Sequence, residues 1–251
     1  TLGRNRIARI SAAGAVDPAW DPNANGAINA LWVDGSGVYV GGTFTMIGSA
    51  TRNRIAKLNP AGVGMADALW DPSANGTVNA LAASGTDLIV GGHFTTIGGT
   101  NRNRIAKLTS GGTADPDWNP NASAPVYAVA VSRTNVYAGG DFTAMGGVSR
   151  ARMVRLNAAG SGVADSGWQA DTDSQVRVVV TSMDDLYVGG RFGGIQGEAR
   201  DGLALLLREY LPGEEVTRPP PAKVEAAFPG PAMNPGGMLC WHPLNQRLYA
   251  V

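Results

Sequence analysis

The amino-acid sequence predicts an all-β fold assembled from tandem units of about fifty residues. Three short patterns recur in register along the chain, and turn-forming residues separate apolar runs of strand length. With 35 Gly and 15 Pro in 251 residues, the composition suits many tight turns, because Gly reaches positive φ and Pro fixes turn geometry. No segment shows the apolar period of an amphipathic helix.

The first pattern is a cationic segment that reads RNRIARI in its first copy and recurs every 48 or 50 residues. Its copies begin at Arg4, Arg52, Arg102, Arg150 and Arg200. The second pattern, Asp-x-x-Trp, ends at Trp20, Trp70, Trp118 and Trp168. The third, Gly-Gly-x-Phe, ends at Phe44, Phe94, Phe142 and Phe192. All length variation falls between the Arg and the Asp of a unit, as expected for a tolerant surface turn.

Each unit contains four short strand-forming segments joined by hairpin-length turns, as residues 26–72 illustrate. Such a meander cannot bury both of its faces alone, whereas identical neighbours stacked around a common axis can. We therefore expect a β-propeller of four-stranded blades, with either five blades or four and a partial one. A parallel β-helix is the main alternative, but its coils are usually shorter than ~50 residues.

The chain divides into three predicted regions. Residues 1–211 carry the propeller repeats, residues 212–235 form a Pro-rich linker, and residues 236–251 form a C-terminal β-hairpin. The hairpin looks like the first two strands of a blade, and the N-terminal residues look like a third and a fourth. The two ends are therefore expected to share one blade. Alternatively, the hairpin begins a further blade.

The repeated residues have predicted structural roles. Each Trp of the second pattern is expected to anchor the core of a blade, because aromatic burial dominates core energetics. The first Arg of each cationic segment is expected to act as a latch, with the carboxylate of the Asp-x-x-Trp motif as its partner. The diglycine is expected to mark a bulge or a close backbone approach near the central axis.

The segment VYVGGTFTMIGSATRNRIAKL, its copy LIVGGHFTTIGGTNRNRIAKL and a third copy resemble the delta-60 family of bacterial β-propeller repeats. The resemblance covers the chain from Thr1 to Leu207 or thereabouts. It implies a β-propeller fold and display outside the cell, on a cell surface or on a virion. It supplies no catalytic residues.

Composition and motifs argue against several classes of function. Twenty basic residues balance twenty acidic ones, so a nucleic-acid partner has no electrostatic support. No apolar run approaches the ~20 residues of a membrane span. Neither metal-ligand spacing of His nor a nucleophile elbow occurs. We expect a non-catalytic binding or structural module; a propeller enzyme acting on polysaccharide and a subunit of a phage tail or filament are the alternatives.

Two turns carry a weak calcium hypothesis. Asp21, Asn23 and Asn25 have the opening spacing of an oxygen-ligand loop, and Asp71, Ser73 and Asn75 nearly repeat it. Later copies lose the pattern, and these residue types also suit a plain turn. We therefore expect no cofactor, with calcium as the alternative.

One position varies within the otherwise constant frame. The residue after the diglycine is Thr43, His93, Asp141 and Arg191 in successive units. Four different side chains at one repeat position indicate an exposed rim. These residues are the predicted contacts for a glycan or protein partner, with self-assembly as another use of the surface.

Overall fold

The structure, a computed structural model, describes residues 3–182 and 185–206 in full, together with the backbone of residues 239–242 and 247–250. Within this part of the chain, strands are the only regular elements, as predicted. No helix that is long and apolar enough to cross a membrane occurs among these residues. The predicted linker, residues 212–235, lies outside the described residues.

Four consecutive units repeat one arrangement of five strands. The first unit contains β1 (Ile28–Asp34), β2 (Gly37–Gly42), β3 (Met46–Ile47), β4 (Ala50–Thr51) and β5 (Ile55–Leu58). The second contains β6 (Val78–Ser84), β7 (Asp87–Gly92), β8 (Thr96–Ile97), β9 (Thr100–Asn101) and β10 (Ile105–Leu108). The third contains β11 (Val126–Ser132), β12 (Asn135–Gly140), β13 (Ala144–Met145), β14 (Val148–Ser149) and β15 (Met153–Asn157). The fourth contains β16 (Val176–Ser182), β17 (Asp185–Gly190), β18 (Gly194–Ile195), β19 (Glu198–Ala199) and β20 (Leu203–Leu206).

The first, second and fifth strands of each unit form an antiparallel sheet, and the third and fourth form a short separate hairpin. The outermost strand of the predicted blade is reduced to one bridge, such as Leu58 with Ala66. It is short because the Asp that follows starts a turn: the Asp67 carboxylate accepts a hydrogen bond from Leu69 N at 3.0 Å. Trp70 therefore lies beyond the outer strand, at the end of this turn.

The units stack side by side around an axis. Their innermost strands, β1, β6, β11 and β16, contact one another in sequence order. The first Gly of the diglycine in the first three blades receives a Val from the next unit: a Cβ on Gly41 would lie 2.5 Å from Val78 Cγ1, and one on Gly139 would lie 2.3 Å from Val176 Cγ1. The predicted β-propeller is confirmed, with each unit as a blade.

The Trp of each of the first three Asp-x-x-Trp motifs contacts the following blade, Trp70 through Gly112. Trp118 is fully buried, and its indole N–H donates to Asn157 O of the next blade at 2.9 Å. Trp20 makes the same bond to Asn59 O at 3.1 Å. Trp70 is also buried, with its ring 5.2 Å from that of Tyr39. Trp168 is only partly buried. These aromatic rings therefore join the blades as well as filling them.

The first blade differs from the others on its innermost strand. In β1 the side chains of Leu31 and Val33 are 54% and 61% exposed, whereas every residue of β6 and β11 is half-buried or buried. The predicted shared blade would lie against this face. In the C-terminal region, β21 (Leu239–His242) and β22 (Arg247–Ala250) pair with each other as an antiparallel hairpin. Sharing of a blade between the two ends stays a prediction.

Candidate functional site

The diglycine shapes the innermost strand of every blade. A Cβ on its second Gly, Gly42 or Gly140, would fall 2.0 Å from Ala27 O or 2.2 Å from Pro125 O. Opposite the diglycine the register of the innermost strand shifts, so each strand carries a bulge. Both predicted roles, the bulge and the close approach, occur together here. The bulged residues are Asn29, Asn79, Tyr127 and Arg177. A bulge redirects one side chain, in this case at one rim of the propeller.

The bulged residue has two uses. In the first two blades it links neighbours: Asn29 Nδ2 donates to Val78 O at 3.2 Å, and Asn79 Nδ2 donates to Val126 O at 3.0 Å. In the third and fourth blades Tyr127 and Arg177 replace these Asn residues and bond to side chains on the rim. We call His93, Tyr127, Asp141, Gln175 and Arg177 the rim cluster.

A chain of contacts connects the rim cluster across three blades. Tyr127 Oη and Gln175 Nε2 both donate to Asp141 Oδ2, at 2.6 and 2.9 Å. Arg177 donates from Nε and Nη2 to Gln175 Oε1, at 3.1 and 2.5 Å, and its Cζ lies 4.5 Å from the centre of the Tyr127 ring. The ring of His93 lies 5.7 Å from the Tyr127 ring, tilted by 57°. The cluster is therefore held in one arrangement while it faces solvent.

The ionisation of the cluster follows from its surroundings. Burial lowers the pKa of His93 below its usual value; Asp141 opposes this shift, and Arg104 and Arg177 add to it. The imidazole is therefore neutral at neutral pH. Burial, followed by the hydrogen bond to Asp141, raises the pKa of Tyr127 to about 12. The phenol accordingly keeps its proton and remains a donor to the carboxylate.

The structure brings together some of the predicted rim residues and adds others. His93 and Asp141 belong to the cluster, and Arg191 adjoins it, because its backbone N donates to Gln175 O at 2.8 Å. Thr43 instead accepts a hydrogen bond from Ala27 N of its own blade at 3.0 Å. Sequence reasoning missed Tyr127, Gln175 and Arg177. For Tyr127 and Arg177 the signal was a second variable repeat position, fourteen residues before the first, as the Tyr127–Asp141 pair illustrates.

The six residues of the calcium hypothesis all have intramolecular partners. Asn25 Oδ1 accepts hydrogen bonds from Thr45 N and Met46 N, and Asn75 Oδ1 does the same with Thr95 N and Thr96 N. The remaining contacts join Asn5 to Asn23, Asn53 to Ser73, Arg4 to Asp21 and Arg52 to Asp71. With both lone pairs of the Asn oxygens in use, the geometry favours a plain structural turn.

Calcium is therefore expected to leave thermal stability unchanged. Because the Asn oxygens already accept two backbone hydrogen bonds each, coordination would require those bonds to break. We expect the melting midpoint to be the same in EDTA and in millimolar calcium. A calcium-dependent rise that disappears in an Asn25→Ala, Asn75→Ala double variant would contradict this, since binding to the native state raises the midpoint.

The first Arg of each cationic segment bonds to a different acceptor from the one expected. Arg102 Nη2 donates to the main-chain O of Asp115 at 2.7 Å, and Arg52 and Arg150 bond in the same way to Asp67 and Asp165. Arg4 repeats the bond with Asp17, whereas the Arg200 guanidinium donates to Ala199 O. The expected carboxylate instead pairs with a cation of the fifth strand, as in Lys107 Nζ to Asp115 at 2.6 Å.

Burial explains this choice of acceptor. The Arg102 and Arg150 side chains are buried, and each guanidinium donates to two main-chain carbonyls at the end of the variable turn and to that of the residue before the Arg. Carbonyl groups at the end of a strand need donors when they are buried. The planar guanidinium supplies several in one plane, which Lys could not do.

The repeated blades stacked around an axis define a β-propeller repeat protein. Three stretches of the chain, residues 37–63, 88–117 and 135–162, match a family model described as "Domain of unknown function (DUF5122) beta-propeller". Each stretch begins on the second strand of a blade and ends in or just beyond its variable turn. These three stretches are therefore similar to the repeats of a β-propeller family. No curated protein is significantly similar in sequence.

Several solved structures are similar in shape. The computationally designed protein Ika4 is 17% identical with a TM-score of 0.48, over 74% of this chain and 93% of Ika4. The WD40 repeats of RRP9 are 16% identical with a TM-score of 0.46, over 68% of this chain and 47% of RRP9. The Doa1 WD40 domain is 14% identical with a TM-score of 0.42, over 72% and 54%. The chain spans about half the length of these two WD40 chains, and all three TM-scores are below 0.5.

Proposed function

We propose that this chain is a non-catalytic binding module of the delta-60 repeat type, displayed outside the cell, on a cell surface or on a virion. The rim cluster is its binding surface. The observation that carries the proposal is the assembly of variable residues from three consecutive blades into one connected, partly exposed group. The setting outside the cell is supported only by the resemblance of the repeats.

The contrast between frame and rim supports a binding role. Residues of the frame, such as Trp118 and the diglycine of each blade, recur because packing and backbone contacts require them. Packing does not require the rim residues Tyr127 and Arg177. At the same bulge position Asn29 and Asn79 only bond to the main chain of the next blade. Replacement of these Asn residues by Tyr127 and Arg177 creates a polar surface whose side chains are already ordered, which lowers the cost of binding.

Loss of the rim side chains is expected to weaken partner binding without unfolding the protein. Wild type and a His93→Ala, Asp141→Ala, Arg191→Ala variant would be compared against an immobilised panel of glycans and purified surface proteins. We expect at least about a tenfold loss of affinity for the partner that wild type selects. An Arg133→Asn variant is the matched control. Tyr127 lies near the start of β11, whereas Arg133 directly follows its end, at the opposite rim.

Two outcomes would count against the proposal. Equal binding by the triple variant would place the partner elsewhere on the molecule. Turnover of a glycan that depends on Asp141 would replace the binding module with the polysaccharide-acting enzyme.

A further inference from the structure

Arg177 is an exposed cation that is unusually well fixed. Two of its nitrogens donate to the Gln175 side chain, its guanidinium stacks on Tyr127, and Gln175 is itself held by Asp141. Exposed Arg side chains normally lose rotamer entropy when they bind a ligand. Here that ordering has already taken place, and Nη1 of the guanidinium makes no hydrogen bond to any described residue. The arrangement presents a donor that is ready for an acceptor.

A second guanidinium, that of Arg191, also acts on Tyr127: the charges of Arg177 and Arg191 both lower the pKa of the phenol against its overall rise. Arg191 is exposed, and its side chain has no hydrogen bond or ion pair among the described residues. Its backbone is bonded to that of Gln175, which places it next to the cluster. With Arg104 and Arg177 nearby and His93 neutral, positive charge exceeds the single negative charge of Asp141. Paired guanidinium groups with free donors favour a carboxylate, which they bind with two parallel hydrogen bonds.

Asp141 adds a second requirement. Both of its described side-chain partners bond to Oδ2, so Oδ1 is left as an acceptor at the rim. A sulfate ion would meet repulsion from this carboxylate and has no O–H group to donate to it. A ligand that carries a carboxylate together with hydroxyl groups satisfies both the cations and Oδ1. Among biological polymers, polyuronates have this combination on every residue.

We propose that the rim cluster binds an acidic polysaccharide through a uronate residue. The uronate carboxylate bonds to Arg177 and Arg191, and a neighbouring hydroxyl donates to Asp141 Oδ1. Gln175 acts as a positioning residue that holds Arg177. This inference rests on the proposed binding function and names the chemical class of its ligand.

Direct binding to matched probes tests the ligand class. The protein would be titrated with oligogalacturonate, with the same oligosaccharide after reduction of its carboxyl groups, with polyglutamate and with dextran sulfate. We expect binding to oligogalacturonate at least about tenfold tighter than to the other three. Equal binding of the reduced sugar would overturn the proposal that the ligand is a uronate, but the rim would still bind glycans. Equal binding of polyglutamate or dextran sulfate, or binding of no probe, would also overturn it.

Variants test the assigned residues. Arg177→Ala and Arg191→Ala should each weaken oligogalacturonate binding by about tenfold or more, and Arg177→Lys should not restore it, because Lys lacks the bidentate fork. Gln175→Ala should weaken binding less, and its effect should vanish in the Arg177→Ala background. Arg133→Asn, which removes the same charge from the opposite rim, should bind like wild type. If Arg133→Asn weakens binding as much as Arg177→Ala, general charge and not the cluster is responsible.

Discussion

Replacing Trp118 with Ala is expected to lower the free energy of unfolding by about 4 kcal/mol. Trp118 is fully buried, and its indole bonds to the main chain of the next blade, so the variant loses an aromatic contact and leaves Asn157 O unpaired. Denaturant unfolding followed by circular dichroism measures the change. The ring joins two blades, so the blades of the variant could unfold separately. In that case the unfolding free energy would fall less steeply with denaturant concentration.

Two residues of the preceding Asp-x-x-Trp motif, Leu69 and Trp70, provide controls for this prediction. Leu69→Ala should change stability by less than about 0.5 kcal/mol, because Leu69 is 93% exposed directly before Trp70. Trp118→Phe should cost more than Trp70→Phe, since the Trp70 indole N–H has no hydrogen-bond partner in the described structure. A cost below about 1 kcal/mol for Trp118→Ala would contradict the role of the indole as a core anchor.

Replacing Gly140 with Ala is expected to destabilise the protein by about 3 kcal/mol and to disrupt the rim. The new Cβ would lie 2.2 Å from Pro125 O, so the backbone of β11 would have to move at its bulge. Such a movement displaces Tyr127, which follows Val126 on that strand. Both thermal denaturation and partner binding should therefore report the change.

A second Gly→Ala substitution separates this clash from the general effect of adding a methyl group. Gly35 lies in an exposed turn with no heavy atom within 4 Å of its ideal Cβ and without a positive φ. Gly35→Ala should therefore be neutral or stabilise by up to about 1 kcal/mol. If Gly140→Ala were as mild as Gly35→Ala, the bulge would not depend on the close approach at the diglycine.

The second Arg of the cationic segment occupies a position that requires a positive φ, and Gly202 in the fifth copy is the sequence signal for it. The second Arg of the cationic segment has a positive φ in every blade that carries it, with Arg54 at 65° and Arg104 at 64°. The fifth copy has Gly202 there, at 73°. Non-Gly residues rarely adopt this conformation. Here Arg54 and Arg104 donate to Ala74 O and Ala122 O, contacts that favour Arg despite the strain.

The repeats alone determined the blade, its period of about fifty residues and its aromatic anchors, because side chains that recur at constant spacing occupy equivalent positions in successive blades. They also indicated the variable rim position of His93 and Asp141. Only the tertiary structure decided that the Arg latch bonds to main-chain carbonyls, that the outer strand is a single bridge, and that Tyr127, Gln175 and Arg177 complete the rim cluster. These features depend on contacts between residues from different strands and blades, and spacing along one chain does not specify which atoms meet there.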